Sequence, residues 1–272
     1  MDSSKNLEDK YYIKEVDTDG KSIYCYHDLM GELLIPTHKH DKAQMLYSEG
    51  GIVYVTTETK TYFLPARHFI WIPRGIAHSI NTSSENVMMR NLYFPIDSNE
   101  DPFYDKEGIY PVNDLLLQIM LFTNRWNGNL EKGSRNFVIA NGIKALLPEV
   151  CLTDLPLALP SPKDIRLNKI IVHLDENLTE TILFSDLAER FGFSERSLSR
   201  LFKKDLGMSF IQYFTIRRIL KAIELLLEKK LSVNEVARAV GYNSVPTFSN
   251  TFLKILGARP SDYINGVEIL KK

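Results

Sequence analysis

Two stretches near the C-terminal end repeat one another, and that repeat limits what this chain can fold into. "LAERFGFSERSLSRLFKKDLG" aligns with "VARAVGYNSVPTFSNTFLKILG". Ala188, Gly192 and Phe193 match Ala237, Gly241 and Tyr242 at an offset of 49. After one inserted residue, Ser199, Phe202, Leu206, Gly207 and Tyr213 match Ser249, Phe252, Leu256, Gly257 and Tyr263 at an offset of 50. Each copy reads as a short helix, a glycine turn and a second helix entered through a serine cap. Helix starts are predicted at Ser185 and Ser194 in the first copy, and at a Ser232-x-x-Glu235 capping box in the second. Leu198, Phe202, Phe248 and Phe252 recur at helical spacing and read as core.

The second helix of copy one carries a basic stripe. On a helical wheel Arg196, Ser199, Arg200 and Lys203 share one side, with Lys204 beside them, while Leu198, Leu201, Phe202 and Leu206 take the rest. The chain as a whole has a net charge of −1, yet from Asp164 onward it holds 17 Lys and Arg against 13 Asp and Glu. That asymmetry points to an anionic partner for the C-terminal part. Between the copies "FIQYFTIRRILKAIELLLEKK" reads as one long helix. About 20 residues span ~30 Å, close to the ~34 Å between successive major-groove faces of B-DNA. Two reading helices on such a rod reach consecutive grooves of one duplex. Arg217 and Arg218 within it are open between phosphate contact and ordinary surface.

Residues ~165–265, through the two stretches "LAERFGFSERSLSRLFKKDLGMSF" and "SVNEVARAVGYNSVPTFSNTFLKILGARPSDYI", resemble the DNA-binding domain of the AraC/XylS family of bacterial transcription regulators. The resemblance implies a sequence-specific activator or repressor. It places base readout on the exposed start of each second helix: Arg196, Ser199 and Arg200 in the first copy, Val245, Ser249 and Asn250 in the second. Arg reads guanine bidentately and Asn reads adenine; Lys203 and Lys204 fall nearer the flanking phosphates, with Lys204 open between that contact and a solvated charge, and Lys254 is the basic residue that the second helix offers to DNA. Copy two departs from the family pattern. Asn250 stands where many members keep Arg, Pro246 lies in the first turn, and Tyr263 is followed by Ile264 in place of the frequent Arg.

The first ~110 residues read as strands. "GGIVYVTTE", "YFL", "FIWIP" and "VMMRNLYF" are short apolar or alternating runs parted by turn signals such as "NTSSEN". "VNDLLLQIMLFTNRW" and "NFVIANGIKALLPEV" follow with helical periods. Leu115, Leu116, Ile119 and Phe122 are predicted to share one face, as are Ile139, Ile143, Leu146 and Leu147. Such helices cap the strand core or pair with a second copy. "LPLALPSPKD", with three prolines in ten residues, marks a boundary. The expected class is α+β, with a cupin-like β-barrel over residues 1–110, a helical dimerisation region and Pro-rich linker over 111–163, and an all-α domain with two helix-turn-helix motifs over 164–272.

Within the strand region "HKHDKAQ" holds His38, His40 and Gln44, and "PRGIAH" holds His78. Residues i and i+2 of an extended segment share a face, so His38 and His40 point the same way. The stretch "HKHDKAQMLYSEGG…FIWIPRGIAHSI" resembles the cupin sensor of one AraC branch, in which His-x-His, a carboxylate four residues on and a later His hold a metal. Gln44 replaces the carboxylate here; three imidazoles still suit Zn, Fe or Ni. The same side chains also suit the polar lining of an effector pocket, or ordinary packing. His27 and His68 read as structural and Trp71 as core. A cupin metalloenzyme of the dioxygenase or isomerase type, fused to a DNA-binding module, is the alternative function. Gln44 and the fused domain weigh against it.

The partners expected are double-stranded promoter DNA, a small-molecule effector, a second copy of the chain and RNA polymerase. Cys25 and Cys151 are too few and too far apart for a disulfide framework. The start "MDSSKNLEDK" lacks the apolar stretch of a signal peptide, and no apolar run approaches the ~20 residues of a membrane span. A cytoplasmic protein without membrane contact is expected.

Overall fold

The computed structural model describes residues 13–30, 34–82, 87–152, 154–228 and 231–263. The polar start, much of the "NTSSEN" turn and Ile264 lie outside these residues. The chain forms two compact units, residues 1–58 with 64–155, and residues 59–63 with 156–272. Among the described residues no helix is long and apolar enough to cross a membrane.

The first unit opens on a short helix α1 (Ile13–Val16) and then runs through strands β1 (Ile23–Leu29), β2 (Ile35–His38), β3 (Ala43–Glu49), β4 (Ile52–Thr57), the end of β5 (Lys60–Pro65), β6 (His68–Ile72), β7 (His78–Thr82), β8 (Met88–Phe94) and β9 (Gly108–Pro111). Helix α2 (Asp114–Phe122), strand β10 (Gly128–Leu130) and helix α3 (Arg135–Val150) complete it. The four apolar runs legible in the sequence are β4, β5, β6 and β8. One antiparallel sheet has the order β10-β1-β8-β3-β6-β9; the other is β11-β5-β4-β7-β2, where β11 (Ala158–Pro160) is a short strand inside the proline-rich stretch.

The sheets face one another, because His78 of β7 meets Gln44 of β3 across the core. Register follows from pleat: Gln44 stands opposite Tyr93, and Leu46 opposite Asn91. These therefore share the inner face, while Tyr47 and Arg90 share the outer one. Trp71 is fully buried and its indole N–H donates to the carbonyl of Tyr104, as a core tryptophan requires. Both cysteines are buried and unbridged.

Helix α2 differs from its predicted face. Leu116, Leu117 and Met120 are buried, whereas Leu115 is 54% and Phe122 39% exposed. The run is apolar all round, so its period did not single out a side; the barrel-facing side is turned by about one residue from the expected one. Helix α3 packs against β1 and β8 and buries Ala140, Ile143, Lys144 and Leu147.

The second unit takes in the start of β5 and all of β11 and is otherwise helical: α4 (Ile165–Glu176), α5 (Phe184–Arg190), α6 (Glu195–Leu206), α7 (Phe210–Glu228), α8 (Val233–Ala239) and α9 (Val245–Leu256). The caps at Ser194 and the Ser232–Glu235 box are present. Ser185 is not a cap. Helix α5 begins two residues earlier than a Ser185 cap would start it, with Leu183 at the cap position, and the Ser185 hydroxyl donates to Asp186 instead. Burial of Leu187 and Ala188 positions that first turn more strongly than a side-chain cap. Helices α6 and α9 both end on glycines, Gly207 at φ 69° and Gly257 at φ 71°, a left-handed close that only glycine adopts without strain.

Candidate nucleic-acid interface and histidine cluster

The two halves of the repeat fold alike. Helix α6 buries Leu198, Phe202 and Leu206; α9 buries Phe248, Phe252 and Leu256. Truncating one such phenylalanine to alanine costs about 3–5 kcal/mol. The opposite face of α6 presents Arg196, Ser199, Arg200, Lys203 and Lys204, all exposed. Among the described residues none of these four cations is in an ion pair, so their charge is available to an outside anion.

On α9, Asn250 and Lys254 are exposed, while Val245 and Ser249 are half-buried. Pro246 fits in the first turn, where its missing N–H is no loss. Helix α7 runs unbroken over 19 residues between the motifs, about 28 Å at ~1.5 Å per residue.

Arg217 and Arg218 are structural. Arg217 pairs with Asp175 at 2.6 Å. Arg218 donates to the carbonyls of Leu178 (2.9 Å) and Glu180 (2.6 Å) and lies over the ring of Phe214.

In the first unit the three predicted imidazoles come together. His38 ends β2, His40 lies in the following turn, and His78 opens β7. One nitrogen from each lies within 4.8 Å of the others. His38 and His78 have ring centroids 4.4 Å apart, and His40 and His78 5.2 Å.

Each ring is oriented by its backbone. Nδ1–H donates to the carbonyl of Pro36 from His38, of Lys42 from His40 and of Ile76 from His78. A ring that donates through Nδ1 and stays neutral offers Nε2 as a lone pair. Burial holds all three below the ordinary histidine value, with His78 pushed down to about 3 and further opposed by His38 and His40.

Gln44 is fully buried among them. Its amide nitrogen donates to Asn91 Oδ1 (2.8 Å) and to the Tyr93 hydroxyl (3.2 Å). Its Oε1 therefore stands 3.1 Å from Nε2 of both His40 and His78. Three imidazole lone pairs and one amide oxygen converge without a proton among them, a donor set suited to a divalent cation of the Zn, Fe or Ni kind. The backbone carbonyls that hold each Nδ1–H match the outer support of metal-bound histidine.

Asn91 and Tyr93 were not foreseen from the sequence, although their spacing of two on one strand is a legible signal. His27 and His68 lie outside the cluster, as expected. The Nε2 of His27 meets the Thr123 hydroxyl at 2.8 Å, and His68 Nδ1 donates to Ala66.

A helix-turn-helix domain model matches residues 187–266, and an AraC-like ligand binding domain model matches residues 22–101. The chain is 27% identical over 248 residues to the HTH-type transcriptional regulator NimR of Escherichia coli, covering 89% of this chain and 86% of NimR. It is 32% identical over 97 residues to the HTH-type transcriptional activator AarP of Providencia stuartii, covering 36% of this chain and 72% of AarP. Other curated regulators match over 94 to 102 residues, and there the chain spans 28% to 34% of their length. Among solved structures, the C-terminal domain of AraT, a response regulator from Geobacillus stearothermophilus, is 32% identical with a TM-score of 0.38 over 39% of this chain and 88% of that one.

Proposed function

From the premise that this chain belongs to the AraC family of helix-turn-helix transcriptional regulators, we propose that it acts as a dimeric, effector-controlled switch at promoter DNA in the cytoplasm. It is a DNA-binding regulator with a ligand-binding domain, and it is not an enzyme. The cupin-metalloenzyme alternative is therefore set aside.

The observation that carries the proposal is the pairing of two alike motifs, α5–α6 and α8–α9, by one unbroken helix. Arg196, Ser199 and Arg200 read one half-site; Val245, Ser249 and Asn250 read the next, with Lys203, Lys204 and Lys254 on phosphates. The histidine cluster holds a divalent cation through His38, His40, His78 and Gln44. That cation supplies positive charge to which an oxygen-bearing effector can bind. An effector shifts the regulator only through unequal affinity for its two states.

The second copy docks on α2 and α3. Their outer sides form an almost wholly apolar groove of about 600 Å³ lined by Ile119, Phe122, Ile139, Ile143 and Leu146. Leu115, Phe122, Val138 and Val150 on the same two helices are exposed, more apolar surface than isolated surface residues account for. The bound dimer then meets RNA polymerase at the promoter.

Selection of duplexes from a randomised pool by the full-length protein tests the reading. Enriched sequences are expected to carry two conserved blocks about one helical turn apart, ~10 bp. A pool that shows no enrichment overturns it.

A further inference from the structure

We propose that Arg166 of α4, outside both motifs, grips DNA: with Lys203 and Lys204 of α6, and beside the base-reading Arg200, it lines an open cleft of about 650 Å³ that seats a backbone phosphate of the bound duplex. The proposal rests on the DNA-binding reading and extends the contact surface to a helix that precedes the repeat.

Among the described residues, three cations of α6 without an ion pair line this cleft together with Arg166, whose one partner, Asp164, is not among the lining residues. Such a concentration of one sign raises the local potential toward anions. The two nearby acids are already engaged. Asp205 Oδ2 accepts from the backbone amides of Lys163 (2.8 Å) and Asp164 (3.0 Å). Asp164 caps α4 through Oδ1 and takes the Arg166 guanidinium at two points, 3.1 and 2.7 Å.

That pair orients Arg166 without hiding it. The guanidinium lies 5.4 Å over the ring of Phe193, and the side chain is 67% exposed. The Asp164 contacts use Nε and Nη2, so Nη1 stays available to a phosphate oxygen.

The repeat supplies an internal comparison. Tyr242 matches Phe193, and it too has an arginine over it, Arg218 at 5.8 Å. But Arg218 spends its donors on the carbonyls of Leu178 and Glu180. The counterparts of Arg200 and Lys203 are Asn250 and Leu253. The same device, arginine on the turn aromatic, faces solvent in the first motif and is held half-buried on backbone carbonyls in the second. Lys254, the counterpart of Lys204, is kept, so the second motif retains one of these cations and the cleft that Arg166 completes belongs to the first motif.

The test measures affinity of the full-length protein against KCl concentration, on a fluorescein-labelled duplex selected by the wild type and on an unrelated duplex. Arg166→Gln is expected to weaken both by a similar factor, about tenfold near 0.1 M salt, and to make the log–log salt slope shallower by about 0.9. Arg166→Lys keeps the slope. Asp164→Asn retains the helix cap and releases Arg166, so its affinity equals or exceeds that of the wild type. An unchanged slope in Arg166→Gln, or an Asp164→Asn protein as weak as Arg166→Gln, overturns the proposal. A wild type that binds neither duplex instead brings down the DNA-binding reading itself.

Discussion

Nε2 of His78 and Oε1 of Gln44 stand 3.1 Å apart as two acceptors facing one another. The imidazole gives its proton to Ile76, and the amide gives its own to Asn91 and Tyr93. Two arrangements relieve that opposition: a cation among the lone pairs, or a rotated amide that donates to both imidazoles. Titration calorimetry with Zn²⁺ or Ni²⁺ separates them. One equivalent is expected to bind the wild type and none the His78→Ala protein. Gln44→Glu binds tighter because it adds a negative charge, and Asn91→Leu loses about 10–100-fold through disordering of the amide. No heat with the wild type leaves the rotated amide as the resting state.

The buried histidines make the first unit acid-labile. His27 and His68 are pushed down to about 4, and His78 to about 3, each chiefly by burial. The unfolded chain takes up these protons below about 6.5 while the folded one does not, so stability falls as pH drops from about 6.5 toward these values. At one pH unit below 6.5 each costs about 1.4 kcal/mol. Urea unfolding at pH 7.5 and 5.5 checks this; equal midpoints would contradict it. His68→Asn is expected to reduce the difference by about one histidine's share.

The two reading helices should differ in weight. Among the described residues Arg200 is an exposed cation without an ion-pair partner, and Asn250 at the matching position is neutral. Arg200→Ala is expected to remove about 1–3 kcal/mol of discrimination plus a phosphate-range attraction, abolishing specific binding. Asn250→Ala loses less, and only in the distal half of the site. A gel-shift series with equal losses would contradict the asymmetry.

Gly192 and Gly241 hold the same place in the repeat, at φ 72° and 78°. A Cβ at Gly192 meets nothing within 4 Å, but one at Gly241 lies 2.5 Å from Nη2 of Arg218 and 2.9 Å from the carbonyl of Leu178. Gly192→Ala is expected to cost about 1–2 kcal/mol from the left-handed backbone. Gly241→Ala costs more, on the order of 3 kcal/mol, because Arg218 and the loop it holds must also shift. Thermal unfolding of the two variants checks the order.

If a second copy covers the groove of α2 and α3, a charge placed in it splits the dimer. Ile119→Asp or Leu146→Asp is expected to yield monomers in sedimentation velocity, with the far-ultraviolet spectrum unchanged. A wild type that sediments as a monomer at micromolar concentration would remove the proposal.

Much of the candidate site was legible. The caps at Ser194 and Ser232, the glycine closes at Gly207 and Gly257 and the apolar stripe through Phe202 and Phe252 are local features, written within a few residues of one another. The three histidines were also predicted together, since His-x-His on an extended segment needs only a facing strand to complete it. Other features were not legible. Helix α2 is apolar on all sides, so its period could not say that Leu117 is buried and Leu115 exposed. Ser185 carries a capping residue's chemistry, but burial of Leu187 and Ala188 goes with a helix that starts two residues sooner.

By itself the order of residues determined the repeat, the helical type of its segments, the capped ends at Ser194, Ser232, Gly207 and Gly257 and the supply of basic and imidazole groups, because backbone hydrogen bonding and capping act over a few residues. Tertiary structure alone decided which arginine of each motif turns outward, Arg166 exposed beside Asp164 and Arg218 drawn onto Leu178 and Glu180. It also decided that Asn91 and Tyr93 aim the Gln44 oxygen at the histidines. These choices depend on partners tens of residues away, whose positions are set by the packing of the whole unit and leave no mark in the local pattern.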